Sequence, residues 1–278
     1  MAFLSRNVDL GPPLKISSWR KIALGTWRTA GDPSVYGMVD LDVAPALAYI
    51  EKARAESGLR ITISHFVGKA IAETLRRHPD INCVLRLGRL YGRKSADVFF
   101  QVATDPQGKD LSGMTIRGAE HKSMTDIARE MDERVKAIRE KKDKSFSRMK
   151  STMGLVPGFL AGIVLHLSGV LMYTLNIWSP LLGVPRDSFG SVMITNIGSL
   201  GLDMAFAPLV PYSRIPLLLA LGTMADRPVV QDGQVVVRKM LRICATFDHR
   251  VIDGVHAAHM LKSLHKIFAN PEAELRSS

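Results

Sequence analysis

The chain has 278 residues, of which 46% are hydrophobic and 23% charged, and its formal net charge at pH 7 is +11. This composition excludes a disordered chain and permits one large domain or two small ones. Aromatic residues make up only 6% and no recognised nucleic-acid motif accompanies the positive charge, so nucleic acid is the least favoured partner. No secretory signal opens the sequence. Cys83 and Cys244 lack the spacing of a metal site or of a disulfide framework, so no metal is expected.

Helices and strands are predicted to alternate through the first part of the chain. Apolar residues repeat at helical spacing between Phe66 and Leu75, and Pro79 ends that helix because the residue before a proline avoids the helical region. The predicted elements are a helix over Leu14–Thr29, a strand over Val35–Asp42, a helix over Val43–Ser57, a helix from Thr62 or Ser64 to His78, and strands over Val84–Leu90 and Asp97–Thr104 around a turn at Tyr91–Lys94.

A strongly basic segment occupies the middle of the chain. The helix predicted to begin at Ser123 ends in this segment. Between Arg134 and Lys150 there are eight basic residues and only two acidic ones. Such a run is most often the solvated face of a helix. It is also typical of surfaces that bind lipid head groups or phosphates.

A long apolar segment follows the basic one. From Met153 to Pro185 there is no Asp, Glu, Lys or Arg. An uncharged run above about 18 residues is a candidate for a membrane helix. Gly154, Gly158 and Gly162 recur every four residues, as small residues do where membrane helices pack together.

The remainder of the chain is predicted to be rich in strands. The turn Gln231–Gln234 contains the Asp-Gly pair typical of a hairpin. Because strands and helices are intermixed, the fold class is α/β with a mixed sheet. The predicted elements are strands over Ser191–Gly198, Leu217–Thr223, Val235–Val237 and Met240–Thr246, and a helix over Val255–Phe268.

The segment Asp248-His249-Arg250-Val251-Ile252-Asp253-Gly254 is the strongest candidate for a functional site. It lies where a predicted strand meets a predicted helix, so its side chains can reach a cleft. Histidine is a natural general base because its ordinary pKa of about 6.5 leaves much of it neutral near pH 7. Gly254 is interpreted as permitting a turn that a Cβ would resist, and Arg250 as a structural ion-pairing residue.

The octapeptide Phe247–Gly254 resembles the signature of the catalytic domain of dihydrolipoamide acyltransferases of 2-oxo acid dehydrogenase complexes. The resemblance covers roughly residues 15 to 275 and implies a single acyltransferase catalytic domain over 1–278. It also implies a chloramphenicol acetyltransferase-like fold, a mixed β-sheet sandwiched with helices. Three further stretches match in the same order: Trp19–Ala23, Ile61–Ala70 running on to Pro79–Asn82, and Val192–Gly198.

The resemblance implies transfer of an acyl group between a coenzyme A thioester and a thiol or another small nucleophile. His249 is then the general base, and Thr195 donates to the developing oxyanion, with Asn196 as the neighbouring alternative. Asp253 is expected to pair with Arg20 and to shape the turn that holds the histidine. Three residues are expected to contribute to substrate binding: Asn196, Gly198 and Gly254.

Assembly and partners are further implications of the resemblance. Family members place the site between the subunits of a trimer, so a homotrimer that binds acyl-CoA is expected. No lipoyl domain precedes the match, so no covalently bound lipoyl group is expected, and a lipoyl domain would act in trans. Gln107–Ile116 departs from the family pattern in a region that shapes the acceptor channel, which leaves the acceptor open.

The apolar segment 151–186 corresponds to a short loop in the family and is therefore interpreted as an insertion. A single membrane crossing would separate Arg20 from His249, which the resemblance assigns to one site. Two alternatives remain: a hairpin that dips into one leaflet, with Ser168-Gly169 near its tip, and an element of a subunit interface. A cytoplasmic location is predicted for both, and the first alternative adds attachment to the anionic inner face of the membrane. The alternative function is a catalytically idle trimeric scaffold that attaches to a membrane or partner through 155–185.

Overall fold

The computed structural model describes residues 5–15, 33–103, 111–139, 157–180 and 184–275. Arg20, most of the helix predicted over Leu14–Thr29 and the basic residues after Arg139 lie outside the described residues. The helices are α1 Ala44–Ser57, α2 Ile63–Arg77, α3 Met124–Arg139, α4 Gly158–Gly169 with a π-helical turn at Val170–Thr174, α5 Gly254–Ala269 and α6 Pro271–Glu274. The strands are β1 Ser5–Arg6, β2 Leu10–Pro13, β3 Ser34–Asp42, β4 Cys83–Arg86, β5 Arg89–Arg93, β6 Val98–Ala103, β7 Leu111–Ile116, β8 Ile177–Trp178, β9 Val192–Asn196, β10 Leu217–Gln231 and β11 Gln234–Asp248.

A six-stranded sheet in the order β3-β11-β10-β9-β6-β7 forms the centre of the fold. Strand β9 runs parallel to both of its neighbours, and the other pairs are antiparallel. The prediction of a mixed sheet is therefore confirmed. Strands β10 and β11 form one long hairpin around Asp232-Gly233, both at positive φ, as the Asp-Gly pair predicted.

Helix α2 is the main helix of the core, and all but three of its residues are buried. Its Phe66 ring meets the edge of Phe268 from α5 at a centroid distance of 5.0 Å and lies 6.3 Å from Tyr49 of α1. The helix begins after Thr62, whose backbone N–H donates to Nδ1 of His65 at 2.9 Å. The apolar face predicted from the sequence thus joins three helices on one side of the sheet.

Because His65 is buried, we expect the free energy of unfolding to decrease in acid. Burial lowers the pKa of His65 to about 4, against about 6.5 in an unfolded chain. The unfolded state then binds the additional proton first, so the free energy of unfolding should decrease as the pH falls from about 6.5 towards 4, by about 3 kcal/mol in total. Glutamine at this position accepts the same capping hydrogen bond without titrating. Urea unfolding of His65→Gln between pH 7 and 4 should therefore show a flatter dependence, whereas exposed His265→Gln should follow the wild type.

Two predictions in the strand region are wrong. The turn expected at Tyr91–Lys94 lies at Leu87-Gly88, whose φ values are 47° and 72°, so Tyr91 stands inside β5. Leu87 and Gly88, both at positive φ, form a two-residue hairpin turn that connects β4 directly to β5. The strands predicted over Val235–Val237 and Met240–Thr246 are a single strand, β11. Strand β7 was not predicted.

The apolar segment does not turn at Ser168-Gly169. Helix α4 continues directly into the π-helical turn, so these two residues are not the tip of a hairpin. The interpretation of 151–186 as a membrane-dipping hairpin or as a subunit-interface element stays a prediction. A Cβ on Gly169 would lie 3.3 Å from Cβ of Tyr212, which places this end of α4 against the body of the protein. Within the described ranges, every helix is too short or too polar to span a bilayer.

The second half of this segment packs onto the N-terminal strand. β1 pairs with β8, and the buried Asn176 exchanges two hydrogen bonds with the backbone of Val8, at 2.7 and 3.1 Å. Asn7, also buried, donates to the carbonyl of Met172 at 3.0 Å. Helix α4 differs, because it exposes apolar side chains: Leu160, Ile163, Val164 and Leu167.

Candidate active site

The turn that carries His249 connects β11 to α5, as the sequence predicted. Two long-range backbone hydrogen bonds hold its entrance: Asp248 N–H donates to Pro216 O at 2.9 Å, and His249 N–H donates to Pro33 O at 2.8 Å. The amides of Val251 and Ile252 then donate to Asp248 O, which closes the turn. The His249 side chain is partly exposed between two buried neighbours, so it remains accessible to a small reactant.

Arg250 has the structural role predicted for it. Its guanidinium donates to both carboxylate oxygens of Asp248, with the Nε to Oδ1 distance at 2.9 Å and the Nη2 to Oδ2 distance at 2.6 Å. The side chains of Arg250 and Asp248 are 3% and 9% exposed. Because a buried charge that loses its partner is costly, this pair fixes the start of the turn from within the core.

Asp253 caps the helix that follows the turn. Its Oδ1 accepts hydrogen bonds from the amides of Val255 and His256, both at 3.1 Å, and lies 2.5 Å from Nδ1 of His256. A carboxylate at a helix N-terminus also interacts favourably with the helix dipole. The predicted partner Arg20 lies outside the described residues. The contact with His256 was not predicted, although a polar residue three positions after a capping aspartate is a recognisable signal of a capping box.

Gly254 does not have the role proposed from the sequence. It is the first residue of α5, its φ is not positive, and a Cβ built on it would meet nothing within 4 Å. The turn therefore does not require glycine. The open space beside Gly254 is compatible with its predicted role in substrate binding, which stays a prediction.

Thr195 and Asn196 form the end of β9. Side chains alternate along a strand, so Thr195 lies on the same sheet face as Met193, which packs away from α2. Asn196 uses both ends of its amide: Nδ2 donates to Ser64 Oγ at 3.0 Å, and Oδ1 accepts from Ser199 N at 3.0 Å. The Asn196 amide thus fixes the end of β9, and Thr195 is the better candidate for the oxyanion donor.

Gly198 allows close backbone packing. A Cβ on it would lie only 2.4 Å from the carbonyl oxygen of Gly222 in β10. We therefore expect Gly198→Ala to lower the free energy of unfolding by about 1–3 kcal/mol, since the two backbones must separate. Gly162→Ala is the control, because a Cβ there meets nothing within 4 Å. Equal urea midpoints for the two variants would contradict this explanation.

His249 and Thr195 of one chain are not brought together. Thr195 is in register with Ala220 of β10, and Ala220 with Cys244 of β11, so His249 lies five residues farther along β11 and two strands away. With about 3.3 Å per residue along a strand and about 4.8 Å between strands, the two residues are about 19 Å apart. This is much too far for both to contact one thioester.

Comparison with known proteins assigns the chain to a family. The model of the 2-oxoacid dehydrogenases acyltransferase (catalytic domain) matches residues 20–153 and 187–275, which include both Thr195 and the His249 turn. The chain belongs to this family. The intervening residues 154–186 are outside the match.

Curated relatives in the family are longer proteins. The dihydrolipoyllysine-residue acetyltransferase component of the pyruvate dehydrogenase complex of Bacillus subtilis is 24% identical over 249 residues, or 86% of this chain and 46% of that protein. The chain therefore spans about half the length of the curated relatives that it matches.

Solved structures confirm the predicted fold class. Dihydrolipoamide acetyltransferase of Azotobacter vinelandii matches with a TM-score of 0.65 at 22% identity, over 95% of this chain and 100% of that one. A chloramphenicol acetyltransferase matches with a TM-score of 0.51 at 14% identity, over 92% and 99% of the two chains. In the described part of this family member, the His, Cys, Asp and Glu side chains form no cluster that could hold a metal ion.

Proposed function

We propose that the protein is an acyltransferase that moves an acyl group between coenzyme A and a small thiol or another nucleophile. His249 is the general base, and Thr195 of a neighbouring subunit donates to the oxyanion. The observation that supports this most is membership of a catalytic-domain family whose matched residues include both side chains. Coenzyme A is a substrate in this proposal.

The proposed reaction needs no covalent intermediate on the protein. One nitrogen of His249 accepts the proton of the acceptor S–H while the sulfur attacks the thioester carbonyl. The carbonyl oxygen becomes an oxyanion, and the Thr195 hydroxyl donates a hydrogen bond to it. When the tetrahedral intermediate collapses, the bond to the coenzyme A sulfur breaks, and the imidazolium returns its proton to that sulfur.

The Azotobacter vinelandii enzyme supports these roles by analogy. Its catalytic mechanism has been examined through a serine, a histidine and an asparagine, the last two being four residues apart. His249 and Asp253 have the same spacing, with a carboxylate in place of the amide. We infer that Asp253 orients the histidine turn through its position at the start of α5, and Arg20 remains its proposed second partner.

A trimer is part of the proposal, because one chain separates His249 from Thr195 by about 19 Å. The sheet also exposes an apolar surface available for subunit packing. Tyr36 and Met38 of β3 are 55% and 52% exposed, and the Tyr36 ring meets Phe206 at 5.3 Å. Exposed aromatic and methionine side chains are typical of protein interfaces.

The acceptor and the role of helix α4 are inferred separately. A lipoyl domain acting in trans is the proposed acceptor by family analogy. For the exposed side of α4, we keep two proposals, contact with a neighbouring subunit and contact with an anionic membrane surface. Flotation with vesicles of anionic and of neutral lipid distinguishes them, since only the second proposal predicts binding to anionic vesicles.

A coenzyme A-release assay tests the proposed reaction. Purified protein is mixed with a panel of acyl-CoA donors and with dihydrolipoamide as acceptor, and free coenzyme A is separated by chromatography and measured, because transfer between two thiols leaves the total thiol unchanged. We expect turnover with at least one donor that depends on the acceptor. If the purified trimer releases no coenzyme A from any donor above the uncatalysed rate, the alternative of a catalytically idle scaffold is favoured.

A further inference from the structure

His256 connects two carboxylates from different parts of the chain. Its Nδ1 lies 2.5 Å from Oδ1 of Asp253, and its Nε2 lies 3.2 Å from Oδ2 of Asp80. Asp253 ends the catalytic turn, whereas Asp80 belongs to the loop between α2 and β4. The imidazole is only 22% exposed, so its position is restricted by packing as well as by these contacts.

The geometry indicates that the ring donates to Asp253. A carboxylate oxygen can only accept, so a separation of 2.5 Å from Nδ1 requires a proton on that nitrogen. The amide of Asp253 lies 3.4 Å from the same Nδ1, a separation at the weak limit for a hydrogen bond. Asp80 presents a second carboxylate oxygen at Nε2, so each ring nitrogen lies against a carboxylate.

Other charged and titratable groups surround this contact. His78 lies two residues before Asp80, stacks on His259 at a centroid distance of 6.0 Å and contacts Ser263 Oγ at 2.8 Å. Arg77, Asp80, His256 and His259 all interact electrostatically with His78. Helix α5 and the end of α2 are therefore joined by several polar contacts, and that of His256 reaches Asp253 directly.

We propose that His256 is a positioning residue for the acyl transfer inferred above, because it ties Asp253 to Asp80 and so fixes the far end of the turn that carries His249. The near end is fixed by the buried Asp248–Arg250 pair. Between them the amides of Val251 and Ile252 donate to Asp248 O, and His249 N–H donates to Pro33 O. A clamp at each end keeps the His249 imidazole oriented. This proposal rests on the proposed function.

Three substitutions distinguish a positioning role of His256 from a purely stabilising one. In His256→Asn the amide nitrogen can occupy the place of Nδ1 and donate to Asp253. In His256→Gln it reaches the place of Nε2, towards Asp80, and His256→Ala removes both contacts. His265→Ala is the control, since His265 is exposed on the same helix.

The first measurement does not depend on catalysis. Hydrogen–deuterium exchange of the peptide that spans 248–256 should be faster in His256→Ala and His256→Gln than in the wild type. It should be close to wild type in His256→Asn and in His265→Ala. Unchanged exchange in His256→Ala would overturn the proposal even if the wild type showed no acyltransferase activity.

The second measurement tests the link to the reaction. We expect kcat to decrease about tenfold in His256→Ala, with KM for acyl-CoA nearly unchanged, because misorientation of a base affects the chemical step. His256→Asn should recover most of kcat. Faster exchange with unchanged kcat would overturn the positioning role, as would equal kcat losses in the Asn and Ala variants. Absence of turnover in the wild type would instead contradict the proposed function.

Discussion

Replacing His249 with alanine should lower kcat for coenzyme A release by about three orders of magnitude. A positioned general base contributes about 10²–10⁴-fold, because the thiol must lose its proton as it attacks. KM for acyl-CoA should change little, since the imidazole acts on the acceptor rather than on the nucleotide. The backbone N–H of residue 249, which donates to Pro33 O, remains in the variant, so the turn should persist. Initial rates across a range of donor concentrations at saturating acceptor measure both kcat and KM for acyl-CoA.

The matched control for this prediction is His166→Ala. His166 is exposed on helix α4, outside the residues that the family model matches. Its substitution should leave kcat within about twofold of the wild type. Thermal unfolding of both variants should show midpoints within a few degrees of the wild type. A His249→Ala protein that keeps more than about a tenth of the wild-type kcat would contradict the assignment of the base.

Mixing two inactive variants should restore activity. Thr195→Ala alone should lose about 10²–10³-fold in kcat through the missing oxyanion donor, and His249→Ala alone should be nearly inactive. If each site takes its histidine from one subunit and its threonine from the next, random mixed trimers contain intact sites. Co-expression at equal levels should then recover about a quarter of the wild-type activity per site.

This experiment tests the geometry as well as the chemistry. Within one chain the strand register places the two residues about 19 Å apart, so no rearrangement of side chains alone can make one subunit sufficient. Co-expression of His249→Ala with untagged His249→Ala is the control for assembly. A site shared between subunits would be contradicted if the activity of the mixed preparation equalled the mean activity of the two separate variants.

The parts of the fold that could be predicted were those encoded by local pattern. The apolar repeat of α2, the Asp-Gly pair of the β10–β11 hairpin and the strand-to-helix change around His249 each depend on neighbouring residues. The turn at Leu87-Gly88 was missed because leucine at positive φ is uncommon and has no sequence signal. Its position is decided by the pairing of β4 with β5 and not by turn propensity.

The sequence could nominate residues for the candidate site and, through the resemblance, a position between subunits, but not the distances within one chain. The resemblance nominated His249, Asp253 and Thr195, and the strand register places the first two far from the third within one chain. That separation depends on strand order, which a list of strands does not contain. The clamp formed by His256 was also missed, because Asp80 is distant in sequence and becomes its neighbour only when α2 and α5 pack together.

The pairing of the N-terminal strand with the apolar segment has an evolutionary consequence. Asn7 and Asn176 are 169 positions apart, yet the backbone N–H of Asn7 donates to Asn176 O. The Asn7 side chain donates to Met172 O, and the Asn176 side chain accepts from Val8 N–H. The guanidinium of Arg186 donates to the carbonyl of Asn7 at 2.8 Å. Neither segment lies within the family match. A chain with only one of them would leave buried amides without hydrogen-bond partners. We therefore expect relatives that have one of the two segments to have the other as well.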